Sequence, residues 1–239
     1  MRKKRFSWKQ FSVSILIPIF LIICVIYGNK TITTISETTP SSTGVTVIID
    51  AGHGGPDGGA VSLTGVYESN LNLQIALRLN DLMHLLGIRT HMIRTDDRTV
   101  ATTGNTIAQK KFSDLKSRVK TVNLTENCLL LSIHQNIFPD SRYKGAQIFY
   151  SETTYSKEFA ELMQEQFIKT INPESNRKCK PAKDIYLMDN INTTGILIEC
   201  GFLSNQEEEM ALRTDVYQKK ICCVIAASTS LFLHKYAIT

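Results

Sequence analysis

The sequence predicts an α/β domain whose mostly parallel, twisted sheet is covered by helices on both faces, preceded by a hydrophobic N-terminal helix. Two observations predict this class: short apolar runs alternate with segments of helical periodicity, and polar residues directly follow several of the runs. Strands that alternate with helices typically form such a sheet. We expect a signal anchor or signal peptide in residues 1–27, a flexible tether in 28–44 and one globular domain in 45–239.

The N-terminal segment has the pattern of an export signal. An almost wholly apolar run from Phe11 to Tyr27 follows a group of basic residues: Arg2, Lys3, Lys4, Arg5 and Lys9. The run of about 17 residues is at the lower limit for crossing a bilayer. No small-x-small cleavage site follows it, since the next residues are Gly28, Asn29 and Lys30. We therefore favour an uncleaved anchor, with its positive end inside the cell, over a cleaved signal peptide.

The formal net charge of +5 originates in this N-terminal segment. Residues 1–27 hold basic residues and no acidic ones, so the acidic and basic residues of the remaining chain balance. With no basic patch, the composition does not favour nucleic acid as a partner. The charge instead orients the chain in the membrane, which puts the globular domain on the extracytoplasmic side.

The first half of the domain alternates strands with helices. Val45–Asp50 is a β-branched apolar run that predicts a buried strand, and a glycine-rich turn segment follows it. The next segment predicts a helix that ends at Gly87 and has one apolar face: Leu71, Ile75, Leu79, Leu82 and Leu86. A second strand, a helix and a third strand are then predicted at Arg89–Arg94, Asp114–Val122 and Cys128–Ile133.

The second half continues this alternation to the C-terminus. It contains two more predicted strands, Gly145–Tyr150 and Gly195–Glu199, with a helix between them at Ser156–Ile171. Asp215 is expected to cap a last helix that runs to about Tyr236. The apolar stretch of that helix is too short to span a membrane, so we expect it to pack on the sheet.

Chemically reactive side chains follow three of the predicted strands. His53 comes shortly after the first strand, His134 follows the third, and Glu199 ends the fifth. In open α/β sheets, ligands bind outside the carboxyl ends of the strands. Two histidines and a glutamate that meet there would form a metal site, and Glu68, at the start of the first predicted helix, is a fourth candidate.

These residue types are the ones that catalytic zinc requires. Such zinc takes three protein ligands, often two histidines and a glutamate, and leaves a fourth position for water, whose pKa falls to about 7. A second glutamate that does not bind the metal can accept the water's proton and pass it to the leaving group. His53, Glu68, His134 and Glu199 supply this set. Each of them alone also has an ordinary structural explanation, such as the helix dipole for Glu68.

Three motifs of the chain resemble those of the zinc-dependent N-acetylmuramoyl-L-alanine amidases. Asp50–Gly55, followed by a glutamate fifteen residues past its histidine, is similar to the first signature of that family. Ser132–His134 is similar to its second metal motif and Leu197–Asn205 to its catalytic motif. Arg94 and Arg118 also stand where the family has arginines. The motifs occur in order and at the right intervals over essentially the whole exported part of the chain.

The resemblance implies an α/β/α fold with one Zn²⁺ ion held by His53, Glu68 and His134, and with Glu199 as general base and acid. The implied reaction hydrolyses the amide between N-acetylmuramic acid and the L-alanine of peptidoglycan stem peptides. The layout is most similar to germination-specific members of the family in spore-forming bacteria. It therefore implies a role in spore-cortex maturation, through muramic-δ-lactam formation, in the forespore intermembrane space.

Two departures from the family pattern bear on the site. Gln135 follows the second histidine where the family usually has a small residue, and we expect its longer side chain to narrow the cleft or to touch the metal's surroundings. Asn192–Gly195 replaces a segment that commonly includes proline, so a looser backbone is expected there. Neither change affects a ligand, and together they leave room for an activating protein partner.

Two other functions remain open on the sequence alone. A thiol hydrolase would use Cys200 as nucleophile and His53 or His134 as base, but it would leave Glu68 without a role. A catalytically weak peptidoglycan-binding scaffold of the same fold would have no need for Glu199. The cysteines of the domain follow no disulfide or zinc-finger pattern, and we expect most of them to be buried hydrophobes: Cys128, Cys179, Cys200, Cys222 and Cys223.

Overall fold

The computed structural model describes residues 44–100 and 103–236. The anchor predicted in residues 1–27 and nearly all of the tether predicted in 28–44 lie outside the described residues. Within the described ranges, no helix has the length and apolar character needed to cross a membrane.

The described part of the chain forms six strands and six helices that mostly alternate. The strands are β1 (Thr46–Ala51), β2 (Thr90–Met92), β3 (Cys128–Asn136), β4 (Gln147–Tyr150), β5 (Lys180–Pro181) and β6 (Gly195–Phe202). The helices are α1 (Glu68–Leu85), α2 (Ile107–Leu124), α3 (Ser156–Thr170), α4 (Tyr186–Asn190), α5 (Gln206–Leu212) and α6 (Asp215–Tyr236). Within the described residues, every strand and helix that the sequence predicts for the globular domain is present.

The strands form one sheet in the order β2-β1-β3-β6-β4-β5. Neighbouring strands in this sheet are parallel except β4 and β6, which are antiparallel, so the predicted mostly parallel sheet is confirmed. Because β1, β3 and β6 are parallel neighbours, their carboxyl ends lie at the same edge of the sheet. There Ala51 pairs with Ile133, and His134 pairs with Glu199.

Helices cover both faces of the sheet, as predicted. On one face, α1, α3 and α6 pack against the strands through a large apolar cluster that includes Ile75, Phe159 and Ile221. On the other face, α2 and α4 bury Val122 and Leu187 in a second cluster. Burying one such side chain contributes roughly 1.5–3 kcal/mol, so the two clusters hold the strand ends in fixed positions.

The structure also differs from the predicted elements in three respects. α2 begins at Ile107 rather than near Asp114, because Thr106 and Gln109 form a capping box that stabilises the earlier start. The sequence pattern does not predict β5, α4 or α5, which are too short for periodicity to reveal them. Leu86, expected on the buried face of α1, follows the helix and is 53% exposed, whereas Met83 is buried.

Candidate metal centre and active site

Three of the predicted residues converge at the carboxyl edge of the sheet. His53 lies just past β1, Glu68 is the first residue of α1, and His134 lies in β3. Their candidate ligand atoms all lie within 4.8 Å of one another. His53 Nε2 is 3.2 Å from Glu68 Oε2, and His134 Nδ1 is 2.9 Å from Glu68 Oε1.

The geometry and chemistry of this cluster fit zinc. Ligand atoms that share a tetrahedral zinc ion at about 2 Å each are separated by about 3.3 Å, close to the distances between the imidazole nitrogens and the carboxylate oxygens here. Two histidines and a glutamate are also a donor set that catalytic zinc uses. Glu68 is almost fully buried, so a cation beside it would offset the cost of burying its charge.

In the metal-free protein, the residues of this cluster shift one another's pKa values. Burial disfavours the charged form of His53, but hydrogen bonds to Asp57 and Glu68 outweigh it and raise the pKa of His53 to about 9. Burial likewise disfavours the Glu68 carboxylate, but hydrogen bonds to His134 and His53 outweigh it and hold the pKa of Glu68 well below its ordinary value. The carboxylate is therefore available as an anionic ligand across the physiological pH range.

Asp57 fixes the orientation of the His53 ring. Its Oδ2 atom is 3.0 Å from His53 Nδ1, and Lys111 Nζ lies 3.1 Å from the same oxygen. In the neutral form of the imidazole, the form that binds a metal, a carboxylate at Nδ1 keeps the proton on that nitrogen, so Nε2, which faces Glu68, carries the lone pair. This contact is typical of a metal-binding histidine with its supporting carboxylate.

Two glycines allow the ligands to approach each other. A Cβ atom on Gly52 would lie 2.2 Å from both Cε1 and Nε2 of His134. A Cβ atom on Gly59, whose φ is +68°, would lie 2.6 Å from Glu68 Oε2. Any side chain at either position would displace a ligand. The glycine-rich segment therefore also makes room for the candidate ligands, a role that its composition alone does not show.

Glu199 lies beside the cluster on β6, in register with His134 of β3. Side chains at paired positions of parallel neighbours stand on the same face of the sheet. Glu199 remains partly accessible, but its Oε2 atom is buried with no hydrogen-bond partner among the described residues. Burial, with the Glu68 charge adding to it, raises the pKa of Glu199 to about 7 despite the opposing effects of His134 and His53. A carboxyl with this pKa can both accept and donate a proton near neutral pH.

Two buried arginines hold the backbone that carries His53. Arg94 donates from Nε to the Ala51 carbonyl at 2.7 Å and from Nη2 to the Gly52 carbonyl at 3.0 Å. Arg118 donates from Nη2 to the His53 carbonyl at 2.6 Å. The three successive carbonyls of residues 51–53, from the last residue of β1 onward, therefore all accept hydrogen bonds from guanidinium groups. In the sequence, Arg94 and Arg118 are recognisable only through the family resemblance.

The structure shows the effect of each of the two departures from the family pattern. Gln135 is buried and its Nε2 donates to Asn72 at 3.2 Å, and Asn72 in turn contacts the candidate ligand Glu68. The segment before β6 is not loose, because its backbone and side chains are hydrogen-bonded at several points. Thr194 Oγ1 donates to the Thr154 carbonyl at 2.9 Å, and the backbone N–H of Asn192 donates to the side chain of Asn123 at 3.0 Å.

The thiol alternative finds no support in the geometry. Cys200 is 1% exposed, and burial, followed by the neighbouring Glu199 charge, raises the pKa of its thiol well above the ordinary value. Its Sγ faces the Ile198 carbonyl, and no hydrogen bond joins it to either histidine among the described residues. A nucleophilic cysteine needs the opposite environment, an accessible thiolate with a base beside it. Three of the five described cysteines are buried, as expected.

Comparison with known proteins identifies close relatives of the whole domain. Residues 47–229 match the model of a family described as N-acetylmuramoyl-L-alanine amidase. The germination-specific N-acetylmuramoyl-L-alanine amidase of Bacillus subtilis (strain 168) is 34% identical over 225 residues, which cover 93% of this chain and 93% of that protein. The N-acetylmuramoyl-L-alanine amidase LytC of the same organism is 30% identical over 190 residues, 78% of this chain and 35% of its own length.

Solved structures with the same fold extend the comparison. The CwlD amidase from Clostridioides difficile, in complex with the GerS lipoprotein, is 36% identical with a TM-score of 0.76, covering 80% of this chain and 98% of that chain. An N-acetylmuramoyl-L-alanine amidase from Clostridium difficile 630 is 30% identical with a TM-score of 0.69, covering 81% of this chain and 98% of that chain. The stretch matched by the family model contains all four of the reactive residues: His53, Glu68, His134 and Glu199.

Proposed function

The chain belongs to the N-acetylmuramoyl-L-alanine amidase family, and from this premise we propose that it works with one Zn²⁺ ion held by His53, Glu68 and His134. Its substrate is peptidoglycan, and the bond it hydrolyses joins the lactyl carbonyl of N-acetylmuramic acid to the L-alanine of the stem peptide. The observation that carries the zinc proposal is the convergence of these three side chains within 4.8 Å of one another.

The chain's own residues have distinct roles in this reaction. When bound, zinc lowers the pKa of water toward about 7 and polarises the substrate carbonyl. Glu199, with a pKa of about 7, takes a proton from the attacking water and returns it to the nitrogen of the departing L-alanine. Asp57 holds the proton on His53 Nδ1, and Arg94 and Arg118 hold the loop on which His53 stands.

The biological setting follows from the relative named for germination. Removing the stem peptide frees the lactyl carboxylate of the muramic acid, which formation of a muramic-δ-lactam requires. We therefore assign the chain to spore-cortex maturation, on the extracytoplasmic side and attached to the membrane through residues 1–27. A protein partner that increases the activity the enzyme has on its own is part of this proposal, because a solved relative forms a complex with a lipoprotein.

The test is mass spectrometry of peptidoglycan fragments after treatment with the purified protein. We expect peptide-free muramic acid and stem peptides with a free L-alanine amino terminus. A chelator should abolish their release, and added zinc should restore it. Release that survives the chelator but is lost after thiol alkylation would overturn the zinc mechanism in favour of Cys200.

A catalytically weak scaffold is the second candidate and gives a different result in the same assay. It would sediment with peptidoglycan without releasing fragments. Glu199→Gln provides the matched control, because it keeps the size and polarity of the side chain but cannot accept a proton. If the wild type behaves like this variant and only binds, the assignment as an active enzyme is wrong.

A further inference from the structure

The buried side chain of Asn72 contacts the candidate ligand Glu68 one helical turn further along α1. Asn72 is 0% exposed, and its Nδ2 atom lies 3.1 Å from Glu68 Oε1. We propose that Asn72 is a positioning residue for the metal site, and that Gln135 acts through Asn72 by fixing the orientation of its amide. The inference rests on the proposed function, since it assumes that Glu68 binds the metal.

The Glu68 carboxylate is fixed by three donors besides the histidines. Oε1 accepts from Asn72 Nδ2 at 3.1 Å and from the backbone N–H of Gln135 at 3.1 Å, and Oε2 accepts from the backbone N–H of Ala60 at 2.9 Å. A carboxylate offers about four acceptor positions. Three of these are taken, and the one that remains, on Oε2, faces His53 Nε2 at 3.2 Å. Of the three donors, only Asn72 is a side chain, so it is the one that substitution can remove.

The orientation of the Asn72 amide follows from its partners. Glu68 Oε1 and the Gly52 carbonyl, the latter at 3.2 Å, can only accept hydrogen bonds, so both must face the Nδ2 group of Asn72. Its Oδ1 atom therefore points to Gln135, which must present its own Nε2 donor, 3.2 Å away. Both hydrogen bonds therefore have the same direction: Gln135 donates to Asn72, and Asn72 donates to Glu68.

Within the described part of the chain, Gln135 has one buried polar atom without a hydrogen-bond partner, and the direction of the hydrogen bonds from Gln135 to Asn72 explains why. With Nε2 committed to Asn72, Gln135 Oε1 is left buried, and it has no hydrogen-bond partner among the described residues. A buried polar atom without a partner is costly and calls for a reason. Holding the Asn72 amide in the one orientation that supports Glu68 supplies that reason.

The first test measures zinc affinity directly. Asn72→Ala should raise the zinc Kd by about 10-fold to 100-fold, the range found when support of a metal ligand is removed. Asn70→Ala is the matched control, because Asn70 lies on the same helix and is exposed, and its Kd should equal that of the wild type. The Kd is obtained by competition with a chromophoric chelator, under conditions where circular dichroism shows each metal-free protein to be folded.

The second test separates a role through Asn72 from a merely structural one. Gln135→Met keeps the side-chain length but removes both the donor and the orphan oxygen, so it should fold and should weaken zinc binding. In the Asn72→Ala background the same substitution should have no further effect, because the side chain at position 135 reaches Glu68 only through Asn72, while the backbone N–H that also contacts Glu68 is kept. This non-additivity is not expected of two residues that contribute only to general stability.

The outcomes are distinct. A zinc Kd unchanged by Asn72→Ala, or additive effects of the two substitutions, overturns the inference while leaving the zinc site intact. If Asn72→Ala does not fold, Gln135→Met decides alone, and an unchanged Kd in that variant also overturns the inference. A wild-type protein that binds no zinc would instead contradict the proposed function itself.

Discussion

Arg118 holds the backbone of His53, donating a hydrogen bond from Nη2 to its carbonyl oxygen at 2.6 Å although the two residues are 65 positions apart. His53 has a φ of 60°, a left-handed conformation that costs a non-glycine residue roughly 1–2 kcal/mol. Such a conformation persists only where the surroundings impose it. The same guanidinium pairs with the buried Asp50 and, at 2.7 Å, with Asp114, so the ligand loop is tied to the core of the domain.

Replacing Arg118 should therefore destabilise the whole domain. Arg118→Gln leaves the Asp50 carboxylate buried without its cation, which we expect to lower the free energy of unfolding by about 3–5 kcal/mol. Urea unfolding of the metal-free protein measures this change. Arg142→Gln is the control, because Arg142 is 89% exposed and its ion pair with Asp140 lies at the surface, where solvent screens it. Equal losses in the two variants would refute the structural role given to Arg118.

Removing either histidine should lower the metal content of the purified protein. His53→Ala and His134→Ala each delete one of three ligands, and a site with two ligands holds zinc far more weakly. Elemental analysis after dialysis against metal-free buffer measures the zinc retained. His84→Ala is a suitable control, since His84 belongs to α1 and contacts Thr90 at 2.6 Å instead of the cluster. Full zinc occupancy in His53→Ala would exclude that residue as a ligand.

A methyl group at position 52 should disturb the site by steric contact alone. The Cβ atom of Gly52→Ala would lie 2.2 Å from the His134 ring, so the ring must move and the zinc Kd should rise about tenfold or more. Gly65→Ala is the control: its φ of +85° also strains an alanine, but no atom lies within 4 Å of the Cβ it would introduce, so the change causes no steric contact. Unchanged zinc binding in both variants would mean that His134 does not stand where the metal binds.

Loss of the general base should separate turnover from metal binding. Glu199→Gln should lower kcat on peptidoglycan by at least about 100-fold while the zinc content stays at the wild-type level. Release of free L-alanine amino termini measures the rate, and elemental analysis measures the zinc. Wild-type turnover in this variant would assign proton transfer to another group.

The raised pKa of Glu199 also predicts how stability depends on pH in the metal-free protein. A carboxyl whose pKa is about 7 when folded, against an ordinary value of 4.5, lowers stability as pH rises between these values and has no such effect below them. Glu199→Gln should therefore be more stable than the wild type at about pH 8, by on the order of 3 kcal/mol. At about pH 4 the two should be equally stable. Urea unfolding at both pH values is the measurement, and a difference that does not depend on pH would contradict the raised pKa.

Much of the site could be predicted because parallel strands align their carboxyl ends. Once His53, His134 and Glu199 are each placed at the end of a buried strand, a common edge brings them near one another. Glu68 could be placed as well, since α1 begins at that residue. One supporting residue also left a signal in the sequence: Asn72 stands four residues after Glu68, on the same side of the helix.

The supporting contacts could not be predicted, because they join positions far apart in the chain. The hydrogen bond between Gln135 and Asn72 spans 63 residues, and that between Arg118 and Asp50 spans 68. Periodicity shows which face of a helix or strand is buried, but it does not show how two elements are shifted relative to each other. A shift of one residue in a strand would turn each of its side chains to the opposite face.

By itself, the sequence determined the α/β class, the order of the main elements and the four side chains able to perform the chemistry, because these depend on residue type and local spacing. Three features become visible only in the folded chain: Gly52 must lack a side chain, two arginines hold the carbonyls around His53, and Asn72 and Gln135 support Glu68. Those contacts depend on distances of a few ångströms between elements, which are set when the two apolar clusters pack the helices against the sheet.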